Sequence, residues 1–170
     1  MVLSPISKAF DKVSHRIILF KLRYYGFSSE ACYFIKSYLN EREQAVMNPN
    51  GHMSLWLAVK SGVPQGSVLG PLLFLLFIND LQFWNGNCSR LLYDLQIYCH
   101  TKNSVLVQFR HYLETDIRSI KGWSQINNLI LNDKKTQFII FDKKEVQELY
   151  SSEFHLNCES GPINLSSSVN

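Results

Sequence analysis

Leu72-Leu73-Phe74-Leu75-Leu76-Phe77-Ile78 is the longest apolar run in the chain, and it sits inside a segment, residues 68–81, that is apolar on every side. A helix of that kind must be enclosed by other elements rather than laid on a surface. It falls well short of the roughly 18 to 20 residues needed to cross a bilayer, so no membrane span is expected. Enclosing it requires a layered domain, and the 170 residues can supply one: 46% are apolar, including 11 Phe, 8 Tyr and 3 Trp. Disorder is therefore not the expectation. The 17 Lys and Arg against 14 Asp and Glu give +3, too weak a charge to argue for nucleic acid by itself. Cys32, Cys88, Cys99 and Cys158 lie far apart with no C-x-x-C pair, which argues against a zinc site or a disulfide framework and favours a reducing, intracellular setting. The start, MVLSPISKAFDKV, lacks the basic and apolar regions of a signal peptide.

Periodicity orders the rest. Ile17, Ile18, Leu22 and Tyr25 predict a helix over 14–25 that Gly26 can terminate. Ser28 can cap a second helix with Ala31, Phe34, Ile35, Tyr38 and Leu39 on one face. Asn48-Pro49-Asn50-Gly51 predicts the turn of a hairpin over 44–60, and Ser61-Gly62-Val63-Pro64-Gln65-Gly66 reads as an exposed loop before the apolar helix. Residues 90–99 read as a short, tight hairpin or a bent strand. A long helix from Asn103 or Ser104 to about Ile126 carries Leu106, Phe109, Leu113, Ile117, Ile120 and Trp123. Strands near 129–131 and 136–141 flank the turn-like Asn132-Asp133-Lys134. The expected class is α+β, with helices backing an antiparallel sheet. No histidine pair has H-x-x-x-H spacing, and no Ser-His-Asp or Cys-His arrangement can be read.

Three motifs carry a resemblance. Lys8-Ala9-Phe10-Asp11-Lys12-Val13-Ser14-His15, then Gly62-Val63-Pro64-Gln65-Gly66-Ser67-Val68-Leu69-Gly70-Pro71-Leu72-Leu73-Phe74 with Ile78-Asn79-Asp80-Leu81, then Trp123, Asn127, Leu129, Leu131, Asn132, Lys135, Thr136 and Phe141 at W-x-x-x-N-x-L-x-L-N-x-x-K-T spacing, resemble reverse transcriptases of non-LTR (LINE-type) retrotransposons. The resemblance implies a polymerase palm-like antiparallel sheet backed by helices, occupying 1–142 and lacking fingers and thumb. Residues 143–170 would lead toward a missing primer-grip region. The activity it implies is RNA-directed DNA synthesis, with Mg2+, an RNA template, a DNA primer and dNTP, and no membrane.

Nucleotide addition is an in-line displacement at phosphorus, in which two ions about 4 Å apart stabilise the attacking and leaving oxygens. Magnesium takes hard oxygen ligands, so carboxylates must converge on one point. The family uses three, and the positions carry over poorly. D-F-S-K-A-F-D is matched by Pro5-Ile6-Ser7-Lys8-Ala9-Phe10-Asp11, and proline offers no side-chain oxygen. Asp11 occupies a place at which the family's carboxylate is not a metal ligand. The L-Y-A-D-D-x-Q-I-Y turn is matched by Leu92-Tyr93-Asp94-Leu95-Gln96-Ile97-Tyr98, two residues short. Losing two residues preserves the facing of both flanking strands, so the sheet survives and the turn does not. Asp94 remains as the catalytic and metal-binding remnant.

By the same resemblance Phe10 screens the sugar of the incoming nucleotide, Gln65 and Gly66 belong to the loop that brace nucleotide and template, and Lys135 approaches the leaving pyrophosphate. Each also has a plain reading: a core phenylalanine, a structural turn and a solvated lysine. Asp80 reads as a helix-end residue and His15 as a local structural one. Lys134-Lys135 with Lys143-Lys144 is a modest basic cluster. Met1 falls just upstream of the expected end of the palm's first strand. The expectation is a palm fragment without polymerase activity, the alternatives being a non-catalytic nucleic-acid or protein-binding remnant and a translated pseudogene.

Overall fold

The computed structural model describes residues 2–3, 6, 8–84, 89–91, 96–98, 106–139, 156–158 and 161–165. In chain order the elements are β1 (Val2–Leu3), α1 (His15–Tyr24), α2 (Ser29–Leu39), β2 (Glu43–Gln44), β3 (Leu57–Ala58), α3 (Leu69–Ile78), β4 (Ser89–Leu91), β5 (Gln96–Tyr98), α4 (Leu106–Ile126), β6 (Gln137–Phe138), β7 (Leu156–Cys158) and β8 (Gly161–Leu165). They cluster into two units, Lys8–Asn79 and Met1–Ser7 with Asp80–Asn170. The α+β class is as expected.

In the Lys8–Asn79 unit, α1 begins where Ser14 accepts a hydrogen bond from the Ile17 N–H at 3.4 Å. It ends in a Schellman motif: Phe27 N–H donates to Leu22 O at 3.1 Å and Gly26 N–H to Arg23 O at 3.0 Å. Gly26, at φ +85, supplies the left-handed residue that this motif needs. Ser28 caps α2 by accepting from the Ala31 N–H at 3.3 Å. The buried positions on α2 are Cys32 and Leu39, with Phe34 left 59% exposed, which corrects the expected face. The i, i+7 pair that meets the core starts two residues earlier than Phe34, so its ring is carried out to solvent.

Helix α3 buries Gly70, Leu73, Phe74, Phe77 and Ile78, a stripe at i, i+3, i+4, i+7 and i+8. Its uniform apolarity overstated its burial, since Leu72 is 51% exposed on the opposite side. Lys21 of α1 is buried against α3, donating to Phe77 O at 2.6 Å with its ammonium 4.6 Å from the Phe77 ring centre. The expected hairpin is present, with Glu43 opposite Ala58 and Gln44 opposite Leu57. Its Asn48 Oδ1 accepts from the Asn50 and His52 amides at 3.0 and 2.9 Å, the side-chain mimicry that makes asparagine a turn residue.

The other unit holds a six-stranded sheet in the order β4-β5-β1-β6-β8-β7. The β4–β5 hairpin matches expectation, and every neighbouring pair is antiparallel except β6–β8, which is parallel. Among the described residues, the strand pair expected around Asn132 is not formed. Leu131 bridges Ile6, β6 pairs with β1 and β8, and Asp133–Lys135 is a 3-10 turn. Long-range partners outbid the local one there, because β1 and β8 offer complete ladders on both edges of β6.

Helix α4 packs against β7 and buries Leu113, Ile117, Ile120 and Trp123 at the predicted spacing. It too ends in a Schellman motif, Leu129 N–H to Ser124 O at 2.9 Å and Asn128 N–H to Gln125 O at 3.1 Å, with Asn128 at φ +56. Among the described residues no helix is long and apolar enough to cross a membrane.

Candidate functional site

Pro5, Asp94, Asn103, Ser104, Phe141, Lys143 and Lys144 lie outside the described residues. The metal-site reading of Pro5 and Asp94 therefore rests on the sequence. Among the described residues, no group of three or more His, Cys, Asp or Glu side chains is placed to hold a metal ion.

The other site residues divide between the units. Phe10, Gln65 and Gly66 belong to Lys8–Asn79, and Lys135 belongs to the sheet unit. Lys135 is exposed in its 3-10 turn, and its N–H donates to Asn132 O at 3.0 Å. The rest of its motif is structural. Trp123 is 1% exposed and donates its indole N–H to Asp80 Oδ1 at 3.1 Å. Asn127, also buried, donates to Trp123 O at 2.9 Å, and Thr136 donates to Asn132 O at 3.0 Å. The spacing that identified the segment is thus the spacing of a helix end and the turn after it. Asp80 has the helix-end role expected of it, with the Trp123 contact added.

Phe10 starts a 3-10 turn, Phe10–Lys12, entered through Lys8 at φ +50. Its half-buried ring stacks on Phe74 of α3, the centres 4.8 Å apart. The turn is laced to the loop before α3. Gly62 N–H donates to Val13 O at 2.8 Å, Val63 N–H to Phe10 O at 2.9 Å and Ser61 Oγ to Asp11 O at 3.1 Å. His15 Nε2 lies 2.7 Å from Gly62 O, making it a bridge across 47 residues rather than a local brace.

This lacing corrects the expectation of an exposed loop. Gly62 and Val63 are buried, and only Ser61, Gln65 and Gly66 are exposed. A Cβ on Gly62 would fall 2.9 Å from Asp11 Cα, so only glycine allows the two backbones to meet. At the far end Ser67 Oγ donates to Pro64 O at 2.7 Å and accepts from Gly70 N–H at 3.0 Å, closing the loop onto α3.

A cleft of about 680 Å³ opens beside this loop. Its lining includes Gln65 together with the cations Lys8, Lys12, Arg42 and Lys60, against the carboxylates of Asp11 and Glu43. Val59 N–H donates to Arg42 O at 2.8 Å, so the hairpin register brings Arg42 and Lys60 to one rim. Gln65 Nε2 donates to Asp11 Oδ1 at 2.9 Å. Sequence reasoning singled out Gln65 and missed both its partner and the rim. These residues are joined across 54 positions and by strand register, and neither leaves a local period to read.

The profile of the reverse transcriptase (RNA-dependent DNA polymerase) family matches residues 3–156. The RNA-directed DNA polymerase from mobile element jockey of Drosophila funebris is 29% identical over 143 residues, 80% of this chain and 15% of its own length. The probable RNA-directed DNA polymerase from transposon X-element of Drosophila melanogaster is 32% identical over 149 residues, 82% of this chain and 16% of its own length. The jockey polymerase of Drosophila melanogaster is 40% identical over 76 residues, 45% of this chain and 8% of its own length. The chain thus spans about one-sixth of the length of the first and second of these relatives. Matched over most of its residues, it belongs to the reverse transcriptase (RNA-dependent DNA polymerase) family, in the group of non-LTR retrotransposon polymerases.

Proposed function

We propose that the chain is a palm-type fragment of a LINE-type RNA-directed DNA polymerase that keeps its nucleotide-bracing loop and does not polymerise. Residues 1–142 would form the palm core and 143–170 would run toward the primer grip. The observation that carries the reading is Pro5 at the position of the family's first metal carboxylate, reinforced by the two-residue shortening around Asp94. A lone carboxylate cannot hold two magnesium ions against the charge that builds on a transferring phosphoryl group. The laced loop supports the retained half of the reading, because its hydrogen bonds lie within Lys8–Asn79 and need no metal.

Primer extension on an RNA template with a DNA primer, dNTP and Mg2+ tests the claim of inactivity. No incorporation is expected; incorporation abolished by Asp94→Ala overturns it. Pro5→Asp combined with insertion of Ala-Asp after Tyr93 is expected to restore magnesium binding, read by titration calorimetry, and no gain would mean that these positions are misaligned.

A second reading, non-catalytic binding of nucleic acid, is favoured by the four cations around the cleft. Anisotropy titration with RNA across a salt series distinguishes the two. Retention with a steep negative salt slope supports binding through phosphate, and no retention at low salt excludes it.

A further inference from the structure

Asp11 is held before its side chain acts. Its N–H donates to Lys8 O at 3.0 Å, its carbonyl accepts from Ser61 Oγ at 3.1 Å, and the missing Cβ of Gly62 lets the loop lie against its Cα. Gln65 is held as well, between Pro64, whose carbonyl is taken by Ser67 Oγ, and Gly66 at φ +75. The two side chains then meet, Gln65 Nε2 to Asp11 Oδ1 at 2.9 Å. An ionised carboxylate only accepts hydrogen bonds, so the amide nitrogen must be the atom that faces it. The amide oxygen, Oε1, is left as the open group of Gln65, with no hydrogen bond of its own among the described residues.

We propose that Asp11 is a positioning residue for Gln65: by taking the amide N–H it fixes the side chain with its acceptor oxygen open, so that the loop selects a ligand carrying a hydroxyl or amino donor. This rests on the nucleotide-bracing reading of the loop and assigns a division of labour to the cleft. Lys8, Lys12, Arg42 and Lys60 suit phosphate oxygens, which only accept. Gln65 Oε1 cannot bond a phosphate oxygen and suits the sugar hydroxyls or base amino groups of a nucleoside. With an asparagine at position 11 the partner could donate or accept, both orientations of the Gln65 amide would be permitted, and the selection would be lost.

The test uses the full chain, 15N-labelled, with adenosine triphosphate and inorganic tripolyphosphate as the two ligands. The wild type is expected to prefer the nucleotide. Asp11→Asn removes a negative charge beside Lys8 and Lys12, which strengthens both phosphate ligands alike, so the ratio of the two affinities isolates the nucleoside. That ratio is expected to fall about fivefold, the worth of roughly one hydrogen bond, and to be restored by Asp11→Glu. The Gln65 side-chain amide resonance, identified by its absence in Gln65→Ala, is expected to shift in Asp11→Asn. A ratio unchanged in Asp11→Asn, or a loss that Asp11→Glu does not restore, overturns the proposal. If the wild type binds neither ligand, the nucleotide reading and the selection built on it both fail. The Gln65 resonance then judges the latch separately: a shift in Asp11→Asn keeps it, and an unmoved resonance overturns it.

Discussion

Replacing Gly62 with alanine attacks the point at which two distant segments touch. Gly62 has φ +92, where an L-residue pays about 1–2 kcal/mol. Its new Cβ would lie 2.9 Å from Asp11 Cα and 3.0 Å from both Asp11 O and Phe10 O. All three are backbone atoms, so no side chain can swing away. Relief requires parting the 3-10 turn from the loop, which stretches the bonds from Gly62 N–H to Val13 O and from Val63 N–H to Phe10 O, now 2.8 and 2.9 Å. Overpacking of this kind costs about 1–3 kcal/mol, and with the backbone penalty the expected loss is about 3 kcal/mol. For a chain of this size that corresponds to a fall in melting temperature of about 9 °C.

Gly66→Ala is the internal comparison. Gly66 has φ +75 but nothing within 4 Å of its Cβ position, so only the backbone penalty applies, about 1 kcal/mol and about 3 °C. Thermal unfolding followed by circular dichroism measures both, and hydrogen exchange at the Gly62 and Val63 amides should accelerate in Gly62→Ala alone. If the two variants shift equally, the close approach of loop and turn is not the reason for Gly62, and the lacing argument fails.

Asn128, the left-handed residue ending α4, is expected to tolerate glycine with no loss of stability, whereas Asn128→Ala should cost about 1 kcal/mol in denaturant unfolding. Trp123→Phe removes the hydrogen bond to Asp80 and leaves a gap in the core beside α4, and a midpoint shift worth about 2 kcal/mol is expected, against about 4 kcal/mol for Trp123→Ala. The Glu30 carboxyl is held below the usual carboxylate range, first by a backbone hydrogen bond at the start of α2 and second by the Ser28 hydroxyl. Its charge therefore favours the helix above the ordinary carboxylate range, and that contribution disappears as pH falls through the lowered pKa. Carboxyl NMR titration reads the shift directly, and Ser28→Ala should return it part of the way upward.

Local signals were enough for the helices. Ser28 as a cap, Gly26 as terminator and the 3,4 spacing of Leu113, Ile117, Ile120 and Trp123 all act within a few residues of where they stand, so they can be read without a fold. The Asn48 turn is legible for the same reason, since its side chain bonds amides two and four residues on. Strands were harder. Periodicity marked 136–141 as extended, but it could not say that β6 would join β1 and β8 in preference to the segment beside it. Pairing partners are chosen by the whole sheet, and a pleat carries no label for its neighbour. Phe34 shows the corresponding weakness on helices, where one apolar face can be drawn through several residues and only packing selects among them.

The sequence by itself determined the family, because GVPQGSVLGPLLF, KAFD and LNxxKT are read in order. The tertiary structure decided what the loop is. The sequence could supply Gly62, Gln65, Asp11 and His15, but contacts across 47 and 54 residues exist only once the chain has folded back on itself. Those contacts turn a stretch that looked like an exposed connection into a fastened element, buried at Gly62 and Val63, with the Gln65 side chain held at its exposed edge.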